Sequence, residues 1–134
     1  MIATLDAPVV LVVPSDPSFL RVARLVVSSL AADLNFGIDD IENVRIVTDE
    51  LLSALISATE GESRLHIIFT TSDGSVTMNA SISGISGMQN SVALDPLAEQ
   101  IVSSLVDDYE LRSETGEIRA TFRSRQSEVP DRVG

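Results

Sequence analysis

Glu50 is the residue of this sequence with the clearest capacity for chemistry, because it is a carboxylate that a helical run, Ile46-Val47-Thr48-Asp49-Glu50-Leu51-Leu52-Ser53-Ala54, leaves off its apolar stripe. There it could take a proton as a general base, or serve as an ordinary helix-surface glutamate. Gly84 and Gly87 stand in a small, polar stretch, residues 84–91, whose composition suits a loop with backbone N–H groups open to a phosphate. Arg21 and Arg24 lie near the start of an earlier helical run, off its apolar positions, where a guanidinium can hold a carboxylate bidentately. Asp107, Asp108, Glu110, Glu114 and Glu117 form an acidic cluster that reads as a solvated face, in keeping with the acidity of the whole chain. His66 alternates within Leu65-His66-Ile67-Ile68-Phe69 and reads as a strand position.

The composition narrows these options. The nine basic residues are all arginine and there is no lysine, which removes Schiff-base chemistry and the lysine of a P-loop. There is no cysteine and a single histidine, so thiolate catalysis, disulfides and multi-histidine metal sites are excluded, and no metal is expected. Acidic residues outnumber basic ones 20 to 9, and a net charge of -11 disfavours nucleic acid and anionic membranes. The longest apolar run, residues 7–13, is far too short to span a bilayer, and no basic residue precedes Arg21 to open a signal peptide. A cytoplasmic location is expected.

The elements that must position these residues follow from periodicity and turn chemistry. A chain of 134 residues, 44% apolar, can bury one sizeable core, so one domain over residues 1–124 and a disordered tail over 125–134 are expected. Residues 7–13 read as a valine-rich strand stopped at Pro14. Residues 16–35 read as a helix with Asp16 or Ser18 as cap and a buried stripe of Phe19, Val22, Ala23, Val26, Leu30 and Leu34, broken at Gly37. Asp39 and Glu42 have the spacing of a capping box opening a second helix, which buries Val44, Val47, Leu51, Leu55 and Ala58 and closes at Gly61. Residues 64–70 and 75–82 form a hairpin around Asp73-Gly74. Asp95-Pro96 caps and opens a third helix, with Leu97, Ile101 and Leu105 inward. Residues 109–113 and 117–124 form a second hairpin. Clustered strands and clustered helices predict an α+β two-layer sandwich, a mostly antiparallel mixed sheet with three helices on one face.

The opening Val13-Pro14-Ser15-Asp16, the run Phe19-Leu20-Arg21-Val22-Ala23-Arg24, the helix start Gly37-Ile38-Asp39-Asp40-Ile41-Glu42 and the segment from Ile46 to Ala54 together resemble the bacterial anti-sigma-factor serine kinases. That family has the Bergerat fold shared by histidine kinases and gyrase, and the resemblance extends more weakly over residues 9–122. It implies the same α+β architecture and a nucleotide site carried by Glu-x-x-x-Asn on the second helix, Asp-x-Gly-x-Gly after a strand, and glycine-rich lid segments. Glu50 matches the glutamate, the family's base or orienting group. The magnesium-holding asparagine is replaced by Ala54, whose methyl offers no oxygen to an ion that demands octahedral oxygen ligation. Ile82 stands where the family has the adenine-binding aspartate, a loss of about 1 to 3 kcal/mol, with Ser83 as the nearest substitute. Leu94-Asp95-Pro96-Leu97 replaces a glycine-rich turn, Gly84 and Gly87 are the remnant of a phosphate cradle, and Gly116 is what remains of the last glycine segment.

The resemblance therefore implies an anti-sigma-factor-like regulator in a partner-switching pathway, binding a sigma factor or its anti-anti-sigma antagonist through Arg21, Arg24 and their surroundings, with no cofactor. The alternative is an ATP- and magnesium-dependent serine kinase of the antagonist with Glu50 as its catalytic residue. Relatives of this kind also suggest a homodimer.

Overall fold

The computed structural model describes residues 8–59, 62–83, 92–114 and 116–127. Five strands, β1 (Val9–Pro14), β2 (Arg64–Ser72), β3 (Ser75–Ser83), β4 (Asp108–Glu114) and β5 (Glu117–Arg125), form one sheet in the order β1-β2-β3-β5-β4. Three helices, α1 (Leu20–Asp33), α2 (Ile38–Ser57) and α3 (Pro96–Leu105), cover one face. The architecture is the α+β two-layer sandwich expected, with one correction: every pairing among the described strands is antiparallel, so the sheet is not mixed.

Strand alternation sorts the sheet into two faces. Leu65, Ile67 and Phe69 of β2, Val76, Met78 and Ile82 of β3, and Ile118 and Phe122 of β5 are buried beneath the helices. The opposite face stays open to solvent and carries His66, Asn79, Arg119 and Arg123 among its polar residues. Both hairpins depend on left-handed backbone. Asp73 and Gly74 have φ of 50° and 73°, the two positive values of a type I′ turn, and Gly116 has φ of 78° beside β5.

The helices depart from expectation in instructive ways. The expected first helix opens with a 3-10 turn over Pro17–Phe19, and Asp16 caps that turn by accepting from the Ser18 N–H at 2.9 Å. The buried stripe of α1 is Leu20, Ala23, Val27 and Ala31, rotated from the predicted one so that Phe19 is exposed and Val26, Leu30 and Leu34 sit at the margin. Its end is set by Asn35 and not Gly37. Asn35 takes φ of 63°, the Asn35 N–H donates to Ala32 O and the Phe36 N–H to Ala31 O, which together make a Schellman termination. Gly37 is instead the N-cap of α2, with no side-chain cap, so the Asp39 and Glu42 capping box does not form and Asp39 and Asp40 act as first-turn acids.

On α2 the stripe Val44, Val47, Leu51 and Leu55 is buried as expected, joined by Thr48 and Leu52, while Ala58 is only partly covered. On α3 the cap is as predicted, Asp95 Oδ1 accepting from the Ala98 N–H at 2.8 Å with Pro96 first in the helix. The inward residues are not: Ala98 and Val102 are buried, Ile101 and Leu105 are partly covered, and Leu97 is 66% exposed. Strand β5 runs through Arg125, and the next residues are fastened to the α1–α2 corner. Gln126 donates to Asn35 O at 2.8 Å, and Ser127 donates to Asp40 through its N–H and its hydroxyl. The described structure therefore continues through Ser127, and residues 128–134 of the expected tail lie outside the described residues.

Candidate functional site

Glu50 and Ala54 are one helical turn apart on α2, and both line a cavity of about 410 Å³. Its walls are Ser53, Ser57 and Ala58 of the same helical stretch and Ala93, Leu94, Asp95 and Ala98 at the start of α3. The helical repeat explains the pairing. The buried stripe at Val47, Leu51 and Leu55 turns positions 50, 53, 54 and 57 toward α3. Sequence reasoning picked out Glu50, Ala54 and Asp95, and the fold brings all three to one cavity. It missed Ser53 and Ser57, which the same i, i+3, i+4, i+7 spacing from Glu50 could have found.

The chemistry of this cavity is that of an acidic pocket. Among the described residues, Glu50 and Asp95 are its charged lining residues and no arginine reaches it. The N-terminus of α3, whose free N–H groups would otherwise attract an anion, is already occupied by the Asp95 carboxylate. Ile82 is fully buried on the helix-covered face of β3. Ser83 cannot substitute for the missing aspartate from the same direction, because strand alternation turns it the other way, opposite Glu117 on the open side. Gly84 and Gly87 lie outside the described residues. Gly116 serves the turn into β5, as its positive φ shows. A larger cavity of about 610 Å³ lies between the end of β1 and the start of β2, lined by Pro14, Ser15, Asp16, Glu62, Ser63 and Arg64, and contains none of the predicted site residues.

The two arginines on α1 have different surroundings. Arg24 Nη1 donates to Asp49 Oδ1 at 2.6 Å, a bridge from α1 to α2 with side chains 34% and 39% exposed. Arg21, one turn earlier, is exposed and makes no ion pair among the described residues. Leu25 follows it four residues on and is 70% exposed, so the outer face of α1 presents a guanidinium beside a bare leucine. Leu25 was not singled out from the sequence, although its place off the apolar stripe was readable there.

The acidic cluster is largely engaged by the chain itself. Asp108 meets Arg123 at 3.2 Å, Glu110 meets Arg112 at 3.6 Å, Glu117 meets Arg119 at 3.0 Å, and Asp107 accepts from the Arg125 N–H at 2.8 Å. Among the described residues no group of three or more acidic or histidine side chains is placed to hold a metal ion. No helix among them is long and apolar enough to cross a membrane.

The serine-protein kinase RsbW of Halalkalibacterium halodurans is 28% identical to the chain over 139 aligned positions, covering 90% of this chain and 86% of that protein. This chain is similar to that anti-sigma-factor serine kinase. The solved structure of the RsbU and RsbW domains of Rv1364c from Mycobacterium tuberculosis superposes with a TM-score of 0.65 over 89% of the chain at 14% identity, a likeness of fold. The chain spans about a third of that solved chain, 32% of its length. No protein-family profile matches. The α+β sandwich is thus shared with that solved structure, and the cavity between α2 and α3 is formed by the helix that carries Glu50.

Proposed function

We propose that this chain is an anti-sigma-factor-type regulator in a partner-switching pathway, that it binds a sigma factor or an anti-anti-sigma antagonist through the outer face of α1, and that it works without nucleotide. The observation that carries the nucleotide-free reading is the cavity beside Glu50. A magnesium nucleotide brings several negative charges and needs oxygen ligands for the metal and N–H donors for the phosphates. Here Ala54 supplies no oxygen, Asp95 fills the helix end, and two carboxylates face the space with no cation among the described residues to offset them. The residues present do not fit the group.

Arg21 and Leu25 support the partner surface. An arginine with no carboxylate partner among the described residues and an adjacent exposed leucine give a protein ligand one charged anchor and one apolar anchor within a single helical turn. An acidic partner residue would meet Arg21 while most of the remaining surface repels it, so the contact is selective.

One observation favours the kinase alternative: Glu50 lines the cavity at the position where the family places its catalytic glutamate. Calorimetric titration with magnesium and ATP separates the two readings. No heat and no thermal shift are expected, whereas a ligand held at a hundred times its dissociation constant stabilises a protein by about 2.7 kcal/mol. Micromolar magnesium-dependent binding would reinstate the kinase with Glu50 as its base. Capture of partners from the source organism, followed by titration of the recovered protein, tests the regulatory half.

A further inference from the structure

The cavity between α2 and α3 offers two carboxylates and, among the described residues, no cation to meet them. Glu50 makes no ion pair among those residues, and Asp95 engages the Ala98 N–H through Oδ1, which leaves its second oxygen to the space. Ser53 and Ser57 line the same cavity with hydroxyls that can accept a hydrogen bond. Eight of the nine arginines lie among the described residues, and none of the eight lines this cavity. The ninth, Arg132, is the only basic residue of the sequence outside them.

We infer that this cavity is a guanidinium site and that its occupant is Arg132 of the same chain, carried there by residues 128–134 running back along α2 and α3. The point of departure sets the direction. Ser127 is fastened to Asp40, the third residue of α2, by its N–H at 2.9 Å and its hydroxyl at 2.6 Å. The end of α3 lies at the same place, since Asp107, two residues beyond that helix, accepts from the Arg125 N–H at 2.8 Å. Because α3 opens at the cavity with Asp95, the two helices run antiparallel and Ser127 stands at the opposite end of the pair from the cavity. Ten residues take α2 from Asp40 to Glu50 and ten make up α3, about 15 Å in each case. Asp40, Val47 and Ala54 follow one another at intervals of seven residues, a drift of about 20° each, so the point of departure and the cavity wall share one side of α2. Five residues carry the chain from Ser127 to Arg132, a span of about 16 to 18 Å when extended. Pro130 favours that form by fixing its own φ and by holding Val129 out of the helical region. Neighbouring side chains alternate along an extended chain, so Asp131 faces away from the carboxylates when Arg132 faces in. The planar guanidinium then meets the Glu50 carboxylate, the second Asp95 oxygen and the serine hydroxyls, and the short tether holds it at high effective concentration.

Trypsin tests the contact directly, because it must take the guanidinium into its own pocket, and the absence of lysine confines it to arginine. The full chain is digested briefly, and cleavage after Arg132 is followed by mass spectrometry against a free peptide of residues 126–134. Cleavage in the chain is expected to be roughly tenfold slower than in the peptide, since it tracks the population in which the guanidinium has left the cavity. Glu50→Gln should bring the rate close to that of the peptide. Glu62→Gln, the same change of charge at the other cavity, should leave it slow. The chain has no cysteine, so a pair of engineered thiols reports proximity cleanly. Ser57→Cys with Val133→Cys should form a disulfide within one chain, at a rate independent of protein concentration, and adding Arg132→Ala should slow it. Cleavage at the rate of the peptide, equal acceleration by Glu50→Gln and Glu62→Gln, or a disulfide formed only between chains would each overturn the inference. It shares its cavity with the nucleotide-free reading but is measured with no nucleotide present, and titration of Arg132→Ala with magnesium and ATP tests that reading by itself.

Discussion

Arg21 and Arg24 are one helical turn apart and look interchangeable in the sequence, yet the fold gives them different work, and substitution should separate them. The Arg24 guanidinium meets Asp49 at 2.6 Å between two side chains about a third exposed. Solvent screening holds the value of such a bridge to about 0.5 to 1 kcal/mol. Arg24→Ala should therefore lower the unfolding free energy by about that amount, or roughly 2 to 5 °C in Tm for a domain of this size. Asp49→Asn should lose a comparable amount, and the double variant Arg24→Ala/Asp49→Asn little more than either, since both remove one contact. Arg21 has no internal partner among the described residues, so Arg21→Ala should leave stability within about 0.5 kcal/mol of the unmodified chain. If it anchors the partner on α1, the same substitution should cost on the order of 2 kcal/mol of binding, roughly thirtyfold in Kd. Urea melts of the four variants and calorimetric titration against the captured partner give both numbers. The reasoning fails if Arg24→Ala leaves the melt unchanged while weakening the partner as much as Arg21→Ala does, because Arg24 would then be a contact residue and not a clamp.

Other expectations are equally specific. Val102→Ala should cost about 2 kcal/mol through lost burial and the cavity left behind, while Leu97→Ala should be close to neutral, and chemical denaturation distinguishes the stripe the fold uses from the one its spacing suggested. Gly116→Ala should destabilise by about 1 to 2 kcal/mol because φ of 78° crowds any Cβ, read as a lower urea midpoint at unchanged slope. The Asp16 carboxyl is held below the ordinary aspartate value by the Ser18 N–H and then by the Ser18 hydroxyl. Its contribution is present above the unfolded aspartate pKa and is lost as pH falls through the lower folded value, so Asp16→Ala should flatten the acid limb of a stability-pH curve and be felt least at the lowest pH. Because coupling between two ligands is reciprocal, ATP with magnesium should leave partner affinity unchanged in paired titrations, and a nucleotide-dependent shift would bring the nucleotide back into the mechanism.

What the sequence made legible was governed by local rules. Asp95-Pro96 specified a helix start because a carboxylate cap and a fixed φ act within one turn, and Asp73-Gly74 specified a hairpin because only that backbone twist joins the strands. The errors arose where a long-range choice overrode a local one. Leu97, Ile101 and Leu105 and the pair Ala98 and Val102 both satisfy helical spacing on α3, and only the position of the sheet decides which is buried. Likewise Gly37 reads as the break after α1, but Asn35 reaches the left-handed region first, which a side-chain amide tolerates and local propensity undervalues. At the site, the spacing of Glu50 and Ala54 placed them on one wall before any coordinates did. The engagement of Arg24 by Asp49, 25 residues away, was invisible because it depends on how α1 and α2 pack.

Helix α2 is the element on which the functional reading turns. One stripe of it, Val44, Val47, Leu51 and Leu55, is fixed in the core, and the side chains on its flanks cannot move independently of that stripe. Asp49 on one flank holds Arg24 of α1, and Glu50 on the next position lines the cavity toward α3. A ligand in the cavity and a partner on α1 would therefore act on adjacent residues of one rigid rod, the arrangement a nucleotide-controlled regulator needs. In this chain the cavity flank of that rod carries Ala54 and faces the Asp95 carboxylate at the start of α3, while α1 on the other flank exposes Arg21 and Leu25. Under the proposed function, switching rests on which partner occupies α1 and requires nothing from the cavity.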